Sequence, residues 1–254
     1  MKKILVVSDL TTGYKKNAVI KNISFEIGES EFIGIIGPNA SGKTTLLRTI
    51  ARVLPFWSGE IFVDGKDIKK YDHKEFARTV SFATKITNYS LNFKVKDFLV
   101  LGRYPWGFQY FDISLCEEFE IVPLFEKRLR ELSSGELQRV IVAQSIVQTS
   151  KVLLLDEPIS HLDISHQITI LNYLKKINKQ QKITILSSFH ELNLAGEYCD
   201  KLILISNGEI KKIGSVEDVL DYRILEEVYK TTIVVKINPI SKKPYVIPVA
   251  TQIR

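Results

Sequence analysis

An α/β fold built on a mainly parallel sheet is what this sequence predicts, and three observations carry the prediction. Short apolar runs at Glu31-Phe-Ile-Gly-Ile-Ile36, Val152-Leu-Leu-Leu155, Ile183-Thr-Ile-Leu186 and Leu202-Ile-Leu-Ile205 have the length and character of strands buried on both faces. Between the second and third lies a helical stretch at 165–179, and strand–helix–strand order implies parallel strands. From about Tyr89 to Gln148 the pattern turns mainly helical, which predicts an inserted helical subdomain.

Taken in order, residues 2–7 and 19–27 are apolar and β-branched enough to be strands. The run 31–36 leads straight into glycine and proline. Beyond it Leu46, Leu47, Ile50, Val53 and Leu54 fall at helical spacing, until Pro55 and the Trp57-Ser-Gly59 turn stop the helix. Glu60-Ile-Phe-Val-Asp-Gly65 reads as a further strand and tight turn. The helical insertion breaks at Gly102-Arg-Tyr-Pro-Trp-Gly107 and ends in a helix with Leu137, Val140, Ile141 and Ile146 on its apolar side. Asn207-Gly208 predicts a hairpin into Glu209-Ile-Lys-Lys-Ile213.

Composition excludes several classes. With 254 residues, 45 % of them apolar and 25 % charged, the chain can bury an ordinary globular core. No apolar run approaches the roughly eighteen residues that span a bilayer, and the N-terminal segment meets an acid too soon for a signal peptide, so a cytosolic location is expected. Cys116 and Cys199 stand far apart with no partner pattern and read as packing thiols. The net charge of +6 does not point to nucleic acid, because Lys230, Lys236, Lys242, Lys243 and Arg254 concentrate it in the last stretch of chain, expected to be a solvated basic tail.

The segment Gly37-Pro38-Asn39-Ala40-Ser41-Gly42-Lys43-Thr44-Thr45 has the spacing of a phosphate-binding P-loop and lies between a predicted strand and a predicted helix. Glycines let the backbone curl so that successive N–H groups face phosphate oxygens, and the helix N-terminus adds its dipole. Lys43 supplies a cation for the β- and γ-phosphates, and the Thr44 hydroxyl is a ligand for Mg2+. Asp156 and Glu157, at the end of an apolar strand, supply the other half of such a site: Asp156 for the metal and Glu157 as general base toward the attacking water.

Leu132-Ser133-Ser134-Gly135-Glu136 followed by Leu137-Gln138-Arg139-Val140 then resembles the signature motif of the ATP-binding-cassette (ABC) family. Ser133, Ser134 and Gly135 precede a helix whose free N–H groups make an anion site. The resemblance covers almost the whole chain. It implies a P-loop NTPase (RecA-like) core with an N-terminal antiparallel β subdomain over about 1–86 and 150–230, a helical subdomain over about 87–149 and a C-terminal tail over about 231–254. It also implies a head-to-tail homodimer enclosing two ATP molecules, Ser160-His-Leu-Asp163 as a loop crossing the dimer interface, His190 as a switch histidine near the γ-phosphate, and Tyr14 as the aromatic stacked on adenine. Two positions depart from the family pattern. Ser134 replaces a glycine, and Lys85 stands where a glutamine is usual; an ammonium has no lone pair for a metal, so Lys85 is left out of the catalytic set.

Within the family, Leu101-Gly-Arg-Tyr-Pro105, Ser160-His-Leu-Asp-Ile-Ser-His-Gln167 and His190-Glu-Leu-Asn-Leu-Ala195 resemble the ATPases of metal-chelate importers that handle iron-siderophores, haem or cobalamin. That resemblance implies a transmembrane permease dimer as partner, an extracytoplasmic binding protein acting indirectly, and a peripheral location on the cytoplasmic face of the membrane. A non-transport ABC protein, such as an iron–sulfur assembly scaffold, and the ATPase of an exporter stay open as alternatives.

Overall fold

The computed structural model describes residues 2–84, 92–108 and 110–250. In chain order the strands are β1 (Lys3–Tyr14), β2 (Asn17–Gly28) and β3 (Phe32–Ile36), followed by helix α1 (Lys43–Ile50). Next come β4 (Ser58–Val63), β5 (Lys66–Asp67), α2 (His73–Thr79) and β6 (Val80–Ala83), and then the helices α3 (Val95–Leu101), α4 (Ser114–Glu118) and α5 (Ser134–Val147). The chain continues through β7 (Val152–Leu155), α6 (Ile164–Gln181), β8 (Thr184–Ser188), α7 (Leu192–Tyr198), β9 (Lys201–Ser206) and β10 (Glu209–Ser215). It ends in α8 (Val216–Val219), α9 (Tyr222–Tyr229) and a hairpin of β11 (Ile233–Ile237) and β12 (Pro244–Pro248).

The central sheet has the order β10-β9-β3-β8-β7-β6, parallel from β9 to β6 and closed at one edge by antiparallel β10. A second, antiparallel sheet runs β2-β1-β4-β5. Two apolar clusters result. One packs β1, β2 and β4 with α1 onto one face of the parallel sheet through Leu5, Leu10, Ile20, Leu46, Leu47 and Ile203. The other packs α3–α7 onto the opposite face through residues such as Leu99, Phe119, Val140, Leu171 and Leu204. The residues of β3, β7 and β8 are buried on both faces, which is why they read as unbroken apolar runs rather than as alternation.

Strand order fixes where functional loops gather. Loops after parallel strands emerge at one edge of the sheet, and β8 lies between β3 and β7, so the segments after these three strands are neighbours. The first hairpin is longer than the sequence pattern suggests: β1 and β2 continue to a tight turn at Lys15, whose φ is 55°. The Asn207-Gly208 turn forms as expected, with φ of 55° and 80°, and the Gly208 N–H donates to the Ser41 carbonyl at 3.1 Å.

The basic C-terminal stretch corrects the expectation of a solvated tail. Ile233 and Val246 are buried, Asn193 exchanges hydrogen bonds with both the N–H and the carbonyl of Val246, and Lys243 donates to the carbonyls of Gly196 and Glu197 at the end of α7. The hairpin is therefore a docked element, held by apolar burial and by the capping of orphan helix carbonyls. Both cysteines are buried and unpaired, and burial pushes their thiols up, Cys116 to about 11, so they stay protonated packing groups.

Phe189 places the residue after β8. Its N–H donates to the Ile35 carbonyl at 2.9 Å, and its ring lies 6.4 Å from Phe32 with 1 % of its surface exposed. Truncating it leaves a cavity under the sheet edge, so Phe189→Ala is expected to cost about 3–5 kcal/mol in urea unfolding. A loss below about 1 kcal/mol would show that this ring does not anchor the edge.

Candidate nucleotide site

The P-loop takes its shape from close backbone packing. Gly37 has a φ of 148°, and a Cβ there would lie 2.0 Å from the Ile205 carbonyl oxygen; Gly42, at φ 111°, would meet the Ile20 side chain at 2.6 Å. Ala40 adopts a left-handed φ of 60°, a conformation that turns the loop back on itself. Lys43 folds over this curl and donates to the Gly37 and Pro38 carbonyls at 2.8 and 2.9 Å. Burial pushes the Lys43 ammonium below its ordinary value, while the carboxylates of Glu157 and Asp156 pull it back.

Asp156 joins three elements. Its Oδ1 accepts from the Thr44 hydroxyl and from the Ser188 hydroxyl, each at 2.9 Å, and its Oδ2 from the Thr84 hydroxyl at 3.4 Å. Its backbone N–H donates to the Ala83 carbonyl of β6 at 2.8 Å. The result is a cluster of hard oxygen atoms beside the P-loop, which is the donor set Mg2+ prefers; among its members Thr44 and Asp156 would hold the ion.

Glu157 is held in a left-handed conformation, φ 53°, that costs a non-glycine residue about 1–2 kcal/mol. Both of its backbone polar groups are anchored: the N–H donates to Ser188 Oγ at 2.9 Å, and the carbonyl accepts from Gln138 Nε2 at 3.0 Å. Its carboxylate meets His190 Nε2 at 2.5 Å. Glu157 lines the same cavity as the loop residues Asn39 to Thr45.

A cleft of about 300 Å3 collects Tyr14, Val19, Asn39 to Thr45, Glu157 and His190. The structure thus brings together Tyr14, most of the P-loop, Glu157 and His190, with Asp156 at the same edge through Thr44. Tyr14, which lines this cleft, is 42 % exposed. Ser133, Ser134, Gly135 and Asp163 do not line this cleft. Ser133 caps α5 in a reciprocal box with Glu136, accepting its N–H at 3.2 Å and donating its own N–H to Glu136 Oε2 at 2.7 Å. Asp163 caps α6 through the His166 N–H. Ser134 is the first residue of α5 and has no positive φ, so the turn does not require the glycine usual there. Lys85 lies outside the described residues.

Ser188, Gln138, Thr84 and Val19 were not singled out from the sequence. Ser188 had a signal in its position within Ser187-Ser188-Phe189-His190, directly before the histidine; Gln138, Thr84 and Val19 had none beyond proximity to motifs.

Ser188→Ala removes a buried donor to Asp156 and the acceptor for the Glu157 N–H. A stability loss of about 1–3 kcal/mol is expected in denaturant titration, with a lower turnover number for ATP. Unchanged turnover would show that the strained Glu157 backbone holds without this hydroxyl.

Known proteins resemble this chain in sequence and in fold. The family model described as ABC transporter matches residues 20–160. The ferric enterobactin transport ATP-binding protein FepC of Escherichia coli (strain K12) is 32% identical over 248 residues, covering 94% of this chain and 92% of the relative. YvrA of Bacillus subtilis (strain 168), described as an ABC transporter ATP-binding protein, is also 32% identical over 248 residues; the chain spans 56% of that relative's length. Among solved structures, an ABC transporter described as of metal-chelate type, in an inward-facing conformation, matches with a TM-score of 0.80 at 21% identity over 98% of both chains, a likeness of fold. With the motif matched in sequence, the cleft assembled at the sheet edge and relatives aligned over nearly the whole chain, the protein belongs to the ABC transporter family and is its ATP-binding subunit, an ATPase.

Proposed function

We propose that the chain powers import of a metal chelate, of the iron-siderophore, haem or cobalamin class, as one of two identical ATPase subunits docked under a separate membrane permease on its cytoplasmic face. The observation that carries the dimer is the placement of Ser133 to Gly135. They sit exposed or half-exposed at the start of a 14-residue helix, outside the chain's own cleft, where free N–H groups and the helix dipole suit an anion supplied from elsewhere. The γ-phosphate of ATP held by a second cassette is that anion in this reading, and Asp163 lies in the loop facing the same neighbour. Import of an iron chelate rests on FepC-like relatives and on the stretches shared with chelate-importer ATPases.

In the closed dimer, loop N–H groups of Gly37 to Thr45 and the Lys43 ammonium hold the β- and γ-phosphates, and Tyr14 stacks on the base. Thr44 and Asp156 would hold Mg2+, which would supply positive charge to offset that of the phosphates. Glu157 orients a water in line with the γ-phosphorus and accepts its proton. His190, through Nε2, fixes the Glu157 carboxylate beside the γ-phosphate.

Two measurements test this. Glu157→Gln keeps the phosphate contacts but removes the base, so it should bind ATP with near wild-type affinity, lower turnover by about 10²–10⁴-fold and accumulate as an ATP-bound dimer in size-exclusion chromatography. Wild-type turnover would remove Glu157 from the role of base. Reconstituted with its permease in vesicles, the protein should drive ATP-dependent uptake of an iron-siderophore, haem or cobalamin; copurification with a soluble assembly complex and no flux of any of the three would favour the scaffold reading instead.

A further inference from the structure

The stretch Ser160 to Gln167 contains more chemistry than a helix cap uses. Asp163 caps α6, and its carboxylate, which accepts the His166 N–H and the Ser165 hydroxyl, is held well below the usual range. The His166 ring continues outward from this cap. Its Nδ1 lies 2.9 Å from each Asp163 oxygen, and its Nε2 lies 2.8 Å from Nη1 of Arg139. A carboxylate can only accept and a guanidinium can only donate, so one ring form satisfies both: neutral imidazole with its proton on Nδ1 and its lone pair on Nε2. Glu120 Oε2, 3.4 Å from Nε2, receives no proton from that form.

Arg139 is a fixed anchor. It lies on α5 just beyond the signature residues, is 8 % exposed, and also donates to the Phe119 carbonyl at 3.0 Å. Gln167, next to His166, reaches back to the carbonyls of Leu162 and Ile159 at 3.2 and 3.4 Å. Where α5 begins, Gly135 is packed so that a Cβ would stand 3.3 Å from the His161 carbonyl oxygen. The loop before α6 therefore touches α5 at its first turn, and again one turn further along through Arg139, His166 and Asp163.

We propose that His166 is a positioning residue, a rigid strut that registers the Asp163 loop against the head of α5, so that Asp163 and Ser133 to Gly135 meet the second cassette as one preformed surface. The proposal rests on the reading that Ser133 to Gly135 contact ATP held by that second cassette. Asparagine reaches Asp163 alone, glutamine reaches Arg139 alone, and lysine would bring a second cation against the guanidinium. A flat ring also adds little rotational freedom for closure to remove, and such pre-organisation strengthens association without adding contacts.

The test uses the full chain. ATP-dependent dimerisation is measured by analytical ultracentrifugation in a Glu157→Gln background, and turnover in the otherwise wild-type chain, for His166→Asn, His166→Gln and His166→Ala. ATP affinity is measured separately on dilute, monomeric protein. Each variant is expected to weaken dimerisation and lower turnover at least fivefold while changing monomer ATP affinity less than twofold, since the chain's own P-loop is untouched. A folded variant that dimerises and turns over like wild type overturns the proposal, as does a parallel fall in monomer affinity, which would mean a general loosening. Gly135→Glu in the same background separates the two layers. Normal dimerisation there overturns the signature reading itself, whereas a defect there beside normal His166 variants overturns only the strut.

Discussion

The carboxylate of Asp156 is the constraint on which the site depends. It is 8 % exposed, and a carboxylate buried to that extent is costly unless hydrogen-bonded. Here the hydroxyls of Thr44 on α1, Ser188 on β8 and Thr84 after β6 converge on it, and Lys43 lies near enough to feel its charge. Satisfying one acid therefore pins the first turn of the P-loop helix to strands on either side of β7. The Thr44 contact also spans the gap that β8 leaves between the P-loop strand and the acidic strand. Removing Asp156 would release three donors at once, and the loop, the glutamate and the histidine would lose their common reference.

Much of this was legible in the sequence because it depends on spacing and local chemistry. The P-loop pattern, the two acids after an apolar strand and the histidine after the following strand each reduce to a strand of known length ending in a particular residue. Parallel order then brings their ends together without further information. Ser188 and Gln138 were harder to read because their roles depend on partners 31 and 19 residues away, and serine or glutamine at such positions is ordinary. The C-terminal hairpin was misread for a different reason. Its lysines are mostly exposed, and charge dominated the reading, whereas its docking depends on buried Ile233 and Val246, on Asn193 of α7, and on Lys243 reaching the Gly196 and Glu197 carbonyls. Period-two alternation over five-residue strands is a weak signal beside a run of lysines.

The Glu157 backbone shows how strain is kept at the edge of the cleft. A left-handed glutamate relaxes unless both of its peptide groups are held, and both are: one by Ser188, which also serves Asp156, and one by Gln138 of α5. The same helix that opens with Ser133 to Gly135 thus holds the carbonyl of the candidate base. Displacement of α5 by even one ångström would be felt at Glu157 through this amide, because a hydrogen bond of 3.0 Å has little slack.

Ser134 draws these threads together. Glycine is needed where φ is positive or a neighbour leaves no room for a side chain, and neither condition holds at the first position of a helix. There the residue is exposed and takes an ordinary helical conformation, so serine is accommodated at no conformational cost and gains over glycine in helix propensity. Its neighbour is constrained instead. A Cβ at Gly135 would stand 3.3 Å from the His161 carbonyl oxygen and 3.4 Å from the Leu162 side chain, so a side chain there pushes on the loop that carries Asp163. Of the two signature positions, the one that the sequence pattern marks as irregular is free to vary, and the one that looks ordinary is held by packing.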